Sequence, residues 1–186
     1  IRQNSGKEGV IKLVKNKLKN AMRTAGNNFS VDMYSDGTTA NQINGLQALV
    51  SDAGTGTVGG INSATYTFWK NILQSAAAPL QGGGGITPSA TTMESLMLPM
   101  WLALTRNNDM PDLIVADDTY FTFFDNSQTS LKRYTNTTDV AAGSTSLKYK
   151  GADVVYDSVA SGMPDAHMYF LNTDYIGLSC HRDANW

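Results

Sequence analysis

The 186-residue chain is 41% hydrophobic and 16% charged, which is long and apolar enough for one sizeable core or two small lobes. Two histidines and a single cysteine, Cys180, exclude a cysteine-based metal cluster and an internal disulfide framework, so a reducing compartment is the expected setting. The net charge of −2 conceals a division: residues 1–30 hold seven basic residues against Glu8, a net of +6, and the remainder holds seven basic against fifteen acidic, a net of −8.

A basic arm on an acidic body can bind nucleic acid, or it can dock on the acidic body of an identical neighbour. No base-reading motif accompanies the arm, and charge complementarity favours self-association. No apolar run approaches the ~18 residues of a membrane span, and the opening residues do not form a signal peptide. The start at Ile1 reads as lying inside a longer chain, and the sequons at Asn28 and Asn136 carry no meaning without secretion.

The first expected element is a helix over 7–26. Ser5 and Glu8 have capping-box spacing, and Ile11, Val14, Leu18, Ala21, Met22 and Ala25 recur at helical intervals. Lys12, Lys15 and Lys19 lie largely off that stripe, and Gly26-Asn27-Asn28 supplies a stop signal. "VDMYSDG" then alternates as a short strand, and "NGLQALVSD" has the spacing of a short helix. In "NSATYTFWKN" an extended backbone puts Tyr66 and Phe68 on one face and Trp69 on the other. Aromatics on both faces point to packing within the subunit or between subunits, with the intramolecular core as the first expectation. "LQGGGGI" is a hinge or loop, because no Gly-Lys-Ser/Thr follows to make a phosphate cradle.

Thr91 and Glu94 form a second capping box before a helix whose Met93, Leu96, Met97, Met100, Trp101 and Leu104 share a face, with Pro99 expected to kink or divide it. Leu113–Ala116 reads as a strand covered on both faces, followed by a helix capped by Asp117 or Asp118. "LKYKGADVVYD" gives two strands bent at Gly151. "HMYFLNTDYIGLSCH" gives another pair broken at Asn172 to Asp174, the last with Ile176, Leu178 and Cys180 inward.

Chemistry finds little purchase. Cys180 and His181 are adjacent and face opposite sides of a strand, so they cannot pair as nucleophile and base. Neither His167 nor His181 has metal-ligand spacing, and no Gly-x-Ser-x-Gly elbow occurs. No catalytic, metal or cofactor site is expected. A small hydrolase would need a pocket joining His167 or His181 to a carboxylate.

The order of segments carries a resemblance. A Lys-rich helix leads to "DGTTANQINGLQALV" and "GGINSATYTFWKN"; a proline-bearing helix runs into "MPDLIVADDTYFTFF"; "KYKGADVVYD" and "MYFLNTDYIGL" close the chain. That series resembles, over most of residues 7–182, the major capsid proteins of tailed bacteriophages and prophages, the Hong Kong 97 type of shell subunit. The resemblance implies an α+β subunit with a peripheral lobe (spine helix and strand, 1–40), a mainly axial lobe (41–148) and C-terminal strands returning towards the peripheral lobe (149–186). It implies identical subunits as partners, in pentamers and hexamers of a virion shell assembled in a bacterial cytoplasm, around weakly contacted double-stranded DNA. Membrane, small-molecule substrate and cofactor have no place in it. The candidate contact residues are Lys12, Lys15, Lys17, Lys19, Arg23, Tyr66, Phe68 and Trp69. The Lys-Asn cross-link of some such shells needs a loop lysine that the sequence lacks, so no cross-linking residues are assigned. The main alternative is a nucleic-acid-binding module built on the same basic helix.

Overall fold

A computed structural model describes residues 7–40, 42–128 and 146–177 and shows a mixed α+β chain. The first helix, α1, spans Lys7–Met33 and is 27 residues long. It therefore passes through Gly26-Asn27-Asn28, and the strand expected from Val31 is the last turn of a helix. The expected stop is overridden by anchoring further on. Ser30 Oγ donates to the Ser161 carbonyl at 3.3 Å, and the Tyr34 hydroxyl donates to Asp157 Oδ2 at 2.7 Å. Such fixed tertiary contacts outweigh the ~1 kcal/mol that a helical glycine costs. The helix ends where Gly45 presses against it: a Cβ there would meet the Asp32 and Met33 carbonyls at 2.5 and 2.6 Å, so only glycine closes this junction.

A single helical turn, α2 (Leu46–Leu49), follows, and then the two-residue strands β1 (Thr57–Val58) and β2 (Ile61–Asn62) pair antiparallel across Gly59-Gly60. The segment after β2 is not extended. Asn62 accepts from Ala64 N through its side chain and from Thr65 N and Tyr66 N through its carbonyl, and this bends the chain into a 3-10 turn at Thr67–Trp69.

Helix α3 runs unbroken over Met93–Leu104 with Pro99 inside it, so the proline does not divide it. Thr92, not Thr91, is its N-cap residue, and no side chain caps it; the Thr92 hydroxyl instead donates to the Thr87 carbonyl. Strand β3 (Leu113–Ala116) leads directly into α4 (Asp118–Ser127), and β4 (Ser146–Tyr149), β5 (Ala152–Tyr156) and β6 (Met168–Leu171) complete the sheet. The strand order is β4-β5-β3-β6, with β3 parallel to β5 and the other pairs antiparallel. Strands β5 and β6, from the segment expected to return towards a peripheral lobe, thus flank β3. An apolar run such as Leu-Ile-Val-Ala is satisfied by neighbours on both edges and cover on both faces.

Alternation divides the core in two. Ile114 and Val154 face α3 and α4, where Met93, Met97, Trp101 and Phe124 close over them. Val115 and Tyr169 face the other way, onto Met163, Tyr34, Leu46 and Val50. Beyond β6 the chain makes a 3-10 turn at Thr173–Tyr175, where the break between the two expected strands falls, because the Asn172 side chain accepts from Asp174 N and tightens the backbone. Leu178, Cys180 and His181 lie outside the described residues.

Candidate interaction surfaces

Helix α1 leaves its apolar stripe uncovered. Every residue from Ile11 to Phe29 is exposed, including Ile11, Val14, Leu18 and Met22 on one face, with Met22 at 70%. At 100° per residue, Lys12, Lys15, Lys19 and Arg23 line one flank of the stripe and Lys17 the other. Among the described residues none of these five cations forms an ion pair. Among the described residues its main contact with the body is near its C-terminal end, against the 3-10 turn Val159–Ser161 and Gly162.

The aromatic run forms a second surface. Tyr66 and Phe68 pack edge to face with centroids 6.0 Å apart, yet Phe68 is 78% exposed, and Tyr66 and Trp69 are also exposed. None of the three enters the core, which corrects the first expectation for them. The hydrogen bonds to Asn62 turn the chain before they arrive. Trp69 is held by its indole Nε1, which donates to the Val58 carbonyl at 3.2 Å and ties the 3-10 turn to the β1-β2 hairpin.

A cavity of about 410 Å³ lies between this loop region and the sheet, lined among others by Asp52, Gln74, Met97, His167 and Tyr169. His167 Nε2 lies 3.0 Å from Asp52 Oδ2 while Nδ1 lies 2.6 Å from the Asp165 carbonyl oxygen. Both ring nitrogens face acceptors, so neither is left to deprotonate a nucleophile as a hydrolytic base must. The pair instead ties the segment after α2 to the start of β6. The buried Tyr169 hydroxyl lacks a hydrogen-bond partner among the described residues, and burial, with Asp52 nearby, pushes its pKa up to about 12.

Asp117, Asp118 and Asp165 place carboxylate oxygens within 4.8 Å of one another. Asp117 is fully buried, but its oxygens accept from Thr119 N, Tyr120 N and Ala166 N. Those bonds make it the N-cap of α4 and a clamp on the loop before β6. The sequence offered Asp117 or Asp118 as the cap, and the structure selects Asp117; the His167-Asp52 contact joins residues 115 apart and carried no local signal. Among the described residues no helix is long and apolar enough to cross a membrane. No family model, curated protein or solved structure matches the chain.

Proposed function

We propose that this chain is a structural subunit of the tailed-phage major capsid type, which assembles with identical copies into the pentamers and hexamers of a shell around double-stranded DNA. The observation that carries this is α1: a 27-residue amphipathic helix whose apolar stripe meets water along its length. Helices draw most of their stability from tertiary packing of such a stripe, and each covered methylene contributes about 0.8 kcal/mol. A subunit designed to be completed by its neighbours has this form. Further support comes from the order of sequence segments, from the exposed Tyr66, Phe68 and Trp69, and from the basic arm set against an acidic body.

Electron microscopy with sedimentation of the full-length encoded protein is the test. Closed shells, or rings of five and six subunits, support the assignment; a persistent monomer under all assembly conditions removes it.

Five cations along α1, none of which forms an ion pair among the described residues, also favour a second reading, a nucleic-acid-binding module. It requires DNA affinity that falls steeply with salt, with Lys12, Lys15, Lys17, Lys19 and Arg23 each contributing to the slope.

A further inference from the structure

The end of the sheet opposite the root of α1 carries a patch whose chemistry is the complement of that helix. Asp112 N donates to the Leu171 carbonyl, and the Asp112 carboxylate accepts from Thr173 N and from its hydroxyl. The Tyr175 hydroxyl donates to Asp109 Oδ1 at 3.1 Å. These bonds bring the segment before β3 together with the turn after β6. On it Asp109, Asp112 and Asp174 are all exposed, and so are the apolar side chains of Met110, Tyr175 and Ile176. Arg106 pairs with Asp109 through the backbone, so the patch carries three carboxylates against one guanidinium.

Helix α1 offers the matching surface: an exposed apolar stripe with cations along its flanks. It is not seated on the patch of its own chain, since every residue from Ile11 to Phe29 is exposed. Its C-terminal end is fixed to Asp157 and Ser161, beyond the C-terminal end of β5, whereas the patch adjoins the N-terminal end of β3, which runs parallel to β5. Root and patch therefore sit at opposite ends of one sheet.

We infer that the apolar stripe of α1 docks on a second copy of this chain, with Ile11, Val14, Leu18 and Met22 over Met110, Tyr175 and Ile176, and with Lys15 and Lys19 facing Asp109 and Asp174. The inference rests on the self-assembly proposed above and specifies its contact. Helix and acceptor are different surfaces, so the contact is heterologous, head to tail, and generates a ring when its rotation closes. Opposed charges around an apolar centre set register and partner choice.

Charge exchange tests it by sedimentation of the full-length protein at low salt. Lys15→Glu with Lys19→Glu, and separately Asp109→Lys with Asp174→Lys, each weaken association by about tenfold or more, as close interfacial charge pairs do. Mixing the two variants restores it in a one-to-one assembly. Unchanged unfolding midpoints confirm that both variants fold. Ile176→Asp, at an exposed position, is the independent check and also weakens association. If the Asp109/Asp174 variant and Ile176→Asp still form rings or shells as the unmodified protein does, the docking site is overturned while self-assembly stands. If the unmodified protein never associates, both are overturned.

Discussion

The Tyr34 hydroxyl donates to Asp157 Oδ2 at 2.7 Å, joining the residue just after α1 to the residue just after β5 across 123 positions of sequence. With the Ser30-Ser161 contact it ties the C-terminal end of α1 to the body. Tyr34→Phe removes a hydrogen bond to a charged acceptor and costs about 2 kcal/mol. Thermal unfolding reads this as a lower midpoint, and hydrogen exchange in residues 28–34 rises more than exchange in β3.

Tyr169→Phe has the opposite sign. The hydroxyl is buried with no partner among the described residues, so it bears an uncompensated desolvation penalty. Removing the oxygen leaves the ring's packing on Val115 and Met163 in place. The variant is expected to equal or exceed the parent by up to about 1 kcal/mol in denaturant titration.

Both phenols also set an alkaline limit. Burial first, then the bond to Asp157, raises the pKa of Tyr34, and burial raises Tyr169 to about 12. A raised folded-state pKa contributes stability that is complete below the unfolded value of about 10 and is lost as pH climbs through the folded value. The midpoint of unfolding falls as pH rises from about 10 to 12. In Tyr169→Phe that fall is shallower. Tyrosinate absorbance followed alongside circular dichroism checks the coupling.

Asp117→Ala strips three amides of their acceptor in a site closed to water. A lost cap and unsatisfied buried donors together cost about 2–3 kcal/mol. Asp117→Asn keeps one carbonyl oxygen and loses less. Adding divalent cation to the parent leaves the midpoint unchanged, as expected when Asp117 serves as a cap.

Gly162→Ala strikes the same junction as Tyr34→Phe from the other side. Gly162 has φ +102, and an added Cβ would meet Val31 Cα at 2.7 Å, backbone against backbone. Strain of this kind costs about 1–3 kcal/mol. The variant loosens α1 at its root, measured as increased exchange at residues 30–34, while β3 and β5 keep their protection.

Much of the body was legible because its signals are local. The stripe of Met93, Leu96, Met97 and Trp101 is buried as spaced, Leu113–Ala116 is a strand covered on both faces, Asp117 caps α4, and β4 and β5 meet around Gly151. What failed depended on distant contacts. Gly26 would end an isolated helix, but Ser161 and Asp157, more than 120 residues away, hold the turns beyond it. The aromatics at 66–69 looked like buried strand because alternation cannot register the Asn62 carbonyl bonds that turn them outward. Periodicity marked the stripe of α1 correctly, yet periodicity describes one helix and not what covers it. The patch at 109–112 and 173–176 exists only once β3 and β6 pair.

Held at one end among the described residues, a 27-residue helix is a lever. At 1.5 Å per residue it is about 40 Å long, so a tilt of about 5° at its root carries the far end through about 3–4 Å. Small angular play around Gly162 and Tyr34 thus becomes a displacement as large as a side chain at Ile11. In the assembly proposed above, one sequence then meets neighbours at slightly different angles while its core stays rigid.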